Sequence, residues 1–104
     1  MEGAGKIMPT FVTLYKFTDQ GIRNVKDSPN RLDSAIKAAE AMGIKMLGAY
    51  YMLGEYDLMV ISEVADEEVA VAHTLATNSL GNVKSVTMRA FAPTEFAEIV
   101  KKIP

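Results

Sequence analysis

Two periods of apolar residues alternate along the chain. Residues 9–17 (PTFVTLYKF) are rich in β-branched and aromatic side chains and poor in helix formers, which predicts a first strand. Alternation places Val12 and Leu14 on one face and Phe11, Thr13, Tyr15 and Phe17 on the other. Thr18-Asp19-Gln20-Gly21 reads as a turn and helix-cap cluster, followed by a short helical turn over 22–26. A full helix then starts with Ser28 as N-cap and Pro29 at the first helical position. Leu32, Ala35, Ile36, Ala39 and Met42 share one face of it, with Arg31, Asp33, Lys37 and Glu40 opposite, and Gly43 closes it in the left-handed conformation.

Residues 44–53 and 56–64 predict second and third strands, joined as a hairpin through Leu53-Gly54-Glu55. A second helix begins at Asp66 with an acidic first turn that suits the positive helix N-terminus. Its apolar stripe reads Val69, Ala72, Leu75 and Ala76, and Leu80-Gly81-Asn82 ends it. Residues 83–91 form a fourth strand, and Pro93 and Thr94 open a short C-terminal helix carrying Phe96, Ile99, Val100 and Ile103. Ahead of Met8, residues 1–7 (MEGAGKI) are Gly-rich and patternless and are expected to be a disordered lead, leaving one domain over 8–104.

The order βαββαβ with a C-terminal helix is the ferredoxin-like arrangement: an α+β sandwich with a four-stranded antiparallel sheet and helices on one face. The second face of such a sheet has no cover and should be polar at alternate positions. Here Phe11, Tyr15 and Phe17 oppose Val12 and Leu14, while Leu58 and Val60 oppose Met59 and Ile61. In the second strand Met46, Tyr50 and Met52 are placed opposite Leu47, Tyr51 and Leu53. Strands apolar on both faces are buried on both faces, so the bare face is expected to meet a second copy, as a homodimer of the dimeric α+β barrel kind.

Composition narrows the range of functions. The chain has 104 residues, 11 basic and 13 acidic, with one His and no Cys or Trp. Without cysteine there is no disulfide, thiolate nucleophile, iron–sulfur cluster or cysteine zinc site, which fits a reducing cytoplasm. Scattered Lys and Arg under a mild net negative charge offer no concentrated basic face for nucleic acid. No run approaches the roughly 18 apolar residues of a membrane span. With one His, a transition-metal site would need a carboxylate cluster that the spacing does not provide, so neither metal nor cofactor is expected.

Three stretches, 8–29 (MPTFVTLYKFTDQGIRNVKDSP), 53–64 (LGEYDLMVISEV) and 79–91 (SLGNVKSVTMRAF), together resemble the GYD domain family. The family's name motif corresponds to Gly54, Tyr56 and Asp57, with Glu55 as a variable position between them. The resemblance implies a ferredoxin-like fold of the dimeric α+β barrel superfamily without implying a reaction. Gly54-x-Tyr56-Asp57, followed by a strand, a helix and Gly81-Asn82-Val83, is also similar to the effector domain of leucine-responsive regulators. Those domains bind small amino acids at subunit interfaces.

Each candidate for chemistry has a plainer role beside it. Gly54, Tyr56 and Asp57 could form a ligand loop, yet a turn glycine, an aromatic staple and an amide-binding Asp serve the hairpin equally well. Arg89, mid-strand with Ser85, Thr87 and Phe91, could anchor an anion or pair with Glu63, Asp57 or a partner's carboxylate. His73 is the one side chain titrating near neutrality unaided, and relatives in the superfamily that act as cofactor-free oxygenases use a helix histidine. The Trp and strand-one Asn that those enzymes also use are missing here. Gly21, Arg23, Asn24 and Lys26 could cradle an anion or simply redirect the chain.

The reading is a cytoplasmic homodimer that binds a small organic molecule in the cleft between sheet and helices, lined by Thr13, Tyr15, Tyr50, His73 and Arg89. The alternatives are an oxygenase- or isomerase-type enzyme using His73 as proton shuttle, and a purely structural assembly subunit.

Overall fold

The computed structural model describes residues 8–104, so the expected disordered lead at 1–7 lies outside the described residues. Strand β1 (Thr10–Phe17) leads through α1 (Asp19–Arg23) and a 3-10 turn (Val25–Asp27) to α2 (Ser28–Ala41). The hairpin β2 (Lys45–Tyr51) and β3 (Leu58–Glu63) follows, then α3 (Glu67–Ser79), β4 (Val83–Ala90) and α4 (Pro93–Val100). The sheet order is β2-β3-β1-β4 with every neighbouring pair antiparallel, the ferredoxin-like order. It stays open, with β2 and β4 as edges, and is no closed barrel within one chain. None of the helices among the described residues is long and apolar enough to cross a membrane.

Local chemistry explains most boundaries. Thr18 caps α1 by accepting from the Gly21 N–H at 3.1 Å, and Asp66 caps α3 by accepting from the Glu68 N–H at 2.9 Å. Gly43, at φ +88, lets the chain leave α2 in the left-handed conformation. The expected cap of α2 differs. Asp27 takes that position without a side-chain bond to a helix N–H, and the Ser28 hydroxyl instead meets the Tyr51 hydroxyl at 2.9 Å, tying the helix start to β2.

Two small apolar clusters hold the layers together. Tyr15, Leu58 and Val60 receive Leu32 of α2, while Ala39, Ile44 and Val64 receive Val69 and Ala70 of α3. That second contact sets the rotation of α3. His73, Thr74 and Thr77 come round to the sheet side, and Leu75, expected on the buried stripe with Ala72 and Ala76, is 63% exposed.

β2 carries the second departure from simple alternation. Met46 pairs with Ser62 but Gly48 pairs with Ile61, so Leu47 is an extra residue in a bulge. The bulge inverts the faces beyond it: Met46 and Tyr51 face the helices, and Tyr50, opposite Met59, faces the open side. That open side carries Val12, Leu14, Ile61, Val86 and Met88 as well, all only partly covered. The apolar residues of α4 are likewise exposed.

Candidate functional site

A cavity of about 410 Å³ lies between the sheet, α2 and α3. Tyr15, Leu58 and Val60 form its floor, Leu32, Ala35 and Ile36 one wall, and His73, Ala76 and Thr77 the other. Ser34 and Ala38, small and exposed like Ala76, also line the cavity. A void of about 30 Å³ continues beneath it, bordered by Thr13, Ser62 and Thr87, with Tyr15 and His73 lining both spaces.

Several of the polar groups around these spaces have defined partners. His73 Nε2 lies 3.0 Å from the Ala35 carbonyl oxygen, which can only accept, so Nε2 is the donor in this bond. The bond links the two walls. Thr13 and Thr87 hydroxyls share a hydrogen bond of 3.1 Å in the lower void. Burial raises the Tyr15 phenol pKa above its usual 10.0, keeping the floor of the cavity uncharged. Arg31 Nη1 donates to the Asn24 carbonyl at 2.8 Å, while Nη2 is buried with no hydrogen-bond partner among the described residues.

The residues expected to line one cleft therefore separate. Tyr15 and His73 line the cavity and Thr13 the void beneath it. Tyr50 does not belong with them: the bulge at Leu47 turns it onto the opposite face of the sheet, where it is 60% exposed. Arg89 shares the helix-side face but sits at the far end of β4, outside both spaces. Its Nη2 pairs with Glu95 of α4 at 3.6 Å, in place of Glu63 or Asp57, and its guanidinium stacks on the Phe91 ring at 4.3 Å. Gly54, Tyr56 and Asp57 lie at the hairpin end, also away from the cavity.

Arg31 and the Ser28–Tyr51 pair are the polar features that the helical pattern assigned elsewhere. Arg31 was placed with the solvent face of α2, yet it stands four residues before Ala35 and one before Leu32, on the edge of the buried stripe. That spacing was the available signal.

Residues 11–100 match the model of the GYD domain family. The chain belongs to the GYD domain family. A relative from Thermus thermophilus, named glutamine synthetase and cystathionine beta-lyase binding protein, is 31% identical over 84 residues, covering 80% of this chain and 88% of its own. Among solved structures, this GYD domain is similar to a feast or famine regulatory protein from M. tuberculosis, solved with L-methionine. The TM-score is 0.60 at 18% identity, over 88% of this chain and 54% of the regulator, so the chain spans about half of that protein. An ACT domain protein from Streptococcus pneumoniae aligns with a TM-score of 0.52 and 14% identity, over 95% of this chain and 100% of its own. At these identities the two structures bear on the fold alone.

Within the GYD domain the cavity can enclose a compact molecule against aliphatic walls. Hydrogen-bonding side chains among its lining residues include Asp27, Asn30, Arg31, His73, Thr77 and Asn82. Such a space is suited to selective binding.

Proposed function

We propose that this GYD domain is a homodimeric cytoplasmic binding module that takes a small organic molecule into the cavity between α2, α3 and the sheet. The observation that carries the reading is the cavity itself: about 410 Å³, within the roughly 300–1,000 Å³ of small-molecule sites, with a largely apolar floor at Tyr15, Leu58 and Val60. A purely structural subunit would gain by filling that space, since close packing is what stabilises a small core. The apolar second face of the sheet supports the dimer. Ligand capture also agrees with the regulator of the same fold whose structure holds L-methionine.

The test is a thermal-unfolding screen against a broad metabolite panel. A ligand of the folded state raises the melting temperature by mass action, and Ile36→Trp, which fills the cavity, should abolish the shift. A panel without any shift would count against the reading. A second reading, docking onto partner enzymes, is favoured by the Thermus relative's name and by the exposed apolar side chains Val71 and Leu75 of α3 and Phe96 of α4. Pull-down with Leu75→Glu as control would separate the two.

A further inference from the structure

We infer that the molecule held in this cavity is a monoanion, a carboxylate carried on an apolar body, and that Arg31 is the residue that receives its charge. The inference rests on the cavity-binding reading above and adds the chemical class of the ligand.

Arg31 is the one lysine or arginine among the described residues lining the cavity. Its side chain is 22% exposed, so most of the guanidinium is withdrawn from water. Its polar surroundings fall short of what such a group needs. Nη1 donates once, to the Asn24 carbonyl, and the nearest carboxylate, Asp27, is 4.0 Å from Nη1, at the limit of an ion pair. Asp27 is itself 65% exposed and accepts from Asn30 Nδ2 at 3.1 Å. Nη2 is buried and has no hydrogen-bond partner among the described residues.

A buried guanidinium nitrogen without an acceptor is unfavourable, and native structures rarely tolerate one without a reason. A planar two-oxygen anion is the acceptor that the guanidinium fork matches, through its two nitrogens together. A dianionic phosphate would call for a second cation, and the lining offers none. Leu32, Ile36, Leu58 and Val60 surround the space into which the body of the molecule would extend, while the polar lining residues include Asn30, Asn82 and a carboxylate, Asp27. Asp27 sets the approach: with Nη1 taken by the Asn24 carbonyl and flanked by the carboxylate, the anion would meet the Nε–Nη2 edge. A turn of the Arg31 side chain must first expose that edge, since Nη2 is buried.

The experiment uses the full chain and a matched pair of probes, octanoate and octanamide, which share an apolar body and differ in charge. Isothermal titration should show octanoate binding the unmodified protein about tenfold more tightly than octanamide, the margin of one charge-assisted hydrogen bond. Arg31→Met should remove that preference while leaving octanamide binding in place, and Ile36→Trp should abolish binding of both. Should Arg31→Met fail to fold, Arg31→Lys keeps the charge without the fork and should shrink the preference. Equal affinity for the two probes, or a preference that survives loss of Arg31, would overturn the anion while leaving the cavity reading standing. No saturable binding of either probe, or binding indifferent to Ile36→Trp, would overturn both.

Discussion

Asp57 and Phe17, forty positions apart, are joined by one side-chain bond: Asp57 Oδ2 accepts the Phe17 backbone N–H at 2.8 Å. The Asp57 N–H in turn donates to the Tyr15 carbonyl at 2.8 Å, and its carbonyl accepts from the Met52 N–H at 2.8 Å. One residue thus carries the β1–β3 pairing past its last partners, Tyr15 and Leu58, and closes the hairpin loop as well. Asp57→Ala leaves the Phe17 N–H without its acceptor and should cost about 1–3 kcal/mol, read as a lowered urea midpoint. Asp57→Asn keeps an acceptor oxygen and should recover most of the loss. An unchanged midpoint for Asp57→Ala would show that water serves Phe17 as well.

Gly21 is required by close approach. A Cβ built there would lie 2.0 Å from the Asn82 carbonyl oxygen, in backbone that is itself bonded to the Thr18 N–H at 3.0 Å. The Gln20 amide adds bonds to the Leu80 carbonyl at 2.9 Å and to Asn82 Oδ1 at 3.0 Å, so the two turns form one laced unit. Gly21→Ala must push them apart and should cost about 1–3 kcal/mol in thermal unfolding. Gly48→Ala is the control. Its Cβ would meet only the movable Tyr50 ring at 3.3 Å, and its effect should be the smaller of the two.

Tyr15 predicts the alkaline behaviour of the fold. Burial raises its pKa above 10.0, so in that pH range the unfolded chain gives up the proton first. The stabilisation is complete below pH 10 and is lost as pH rises from there through the raised folded value. Denaturant titrations at pH 9 and pH 11 should show a larger loss of stability in the unmodified protein than in Tyr15→Phe. Equal losses would mean that the phenol ionises as freely in the folded state as in the unfolded one.

The order of elements and the two-faced character of β1 and β3 were legible because period-2 and period-3.6 patterns are local properties. What escaped were features set by partners distant in sequence. A one-residue bulge at Leu47 leaves no mark on composition, yet it exchanged Tyr50 for Tyr51 on the helix side. The rotation of α3 depends on Val69 and Ala70 meeting Ile44 and Val64, and it carried His73 inward while turning Leu75 outward. Arg89 could be placed on its face but not given its partner, because Glu95 reaches it only once α4 folds back along the end of β4. Arg31 illustrates the reverse case. Its spacing was readable, but a charged side chain beside an apolar stripe is ordinarily solvated, and only the folded structure shows Nη2 withdrawn from water.

The open sheet face yields the last prediction. Leu14 stands at its centre between Met59 and Val86, with Val12, Ile61 and Met88 alongside. The charged residues lie at the margins, Lys16 facing Lys84 at one end and Lys45 facing Glu63 at the other. An apolar centre with a charged rim is the pattern of a self-complementary interface, and a two-fold dimer would cover it twice over. Light scattering should give twice the 11.3 kDa chain mass at micromolar concentration. Val86 is 47% exposed in the single chain, so Val86→Asp should be tolerated by the fold but should halve the measured mass. Because Val86 and the cavity lie on opposite sides of the sheet, a folded Val86→Asp monomer should still bind a cavity ligand. A monomeric unmodified protein would overturn the dimer, and loss of binding in the monomer would show that assembly shapes the cavity across the sheet.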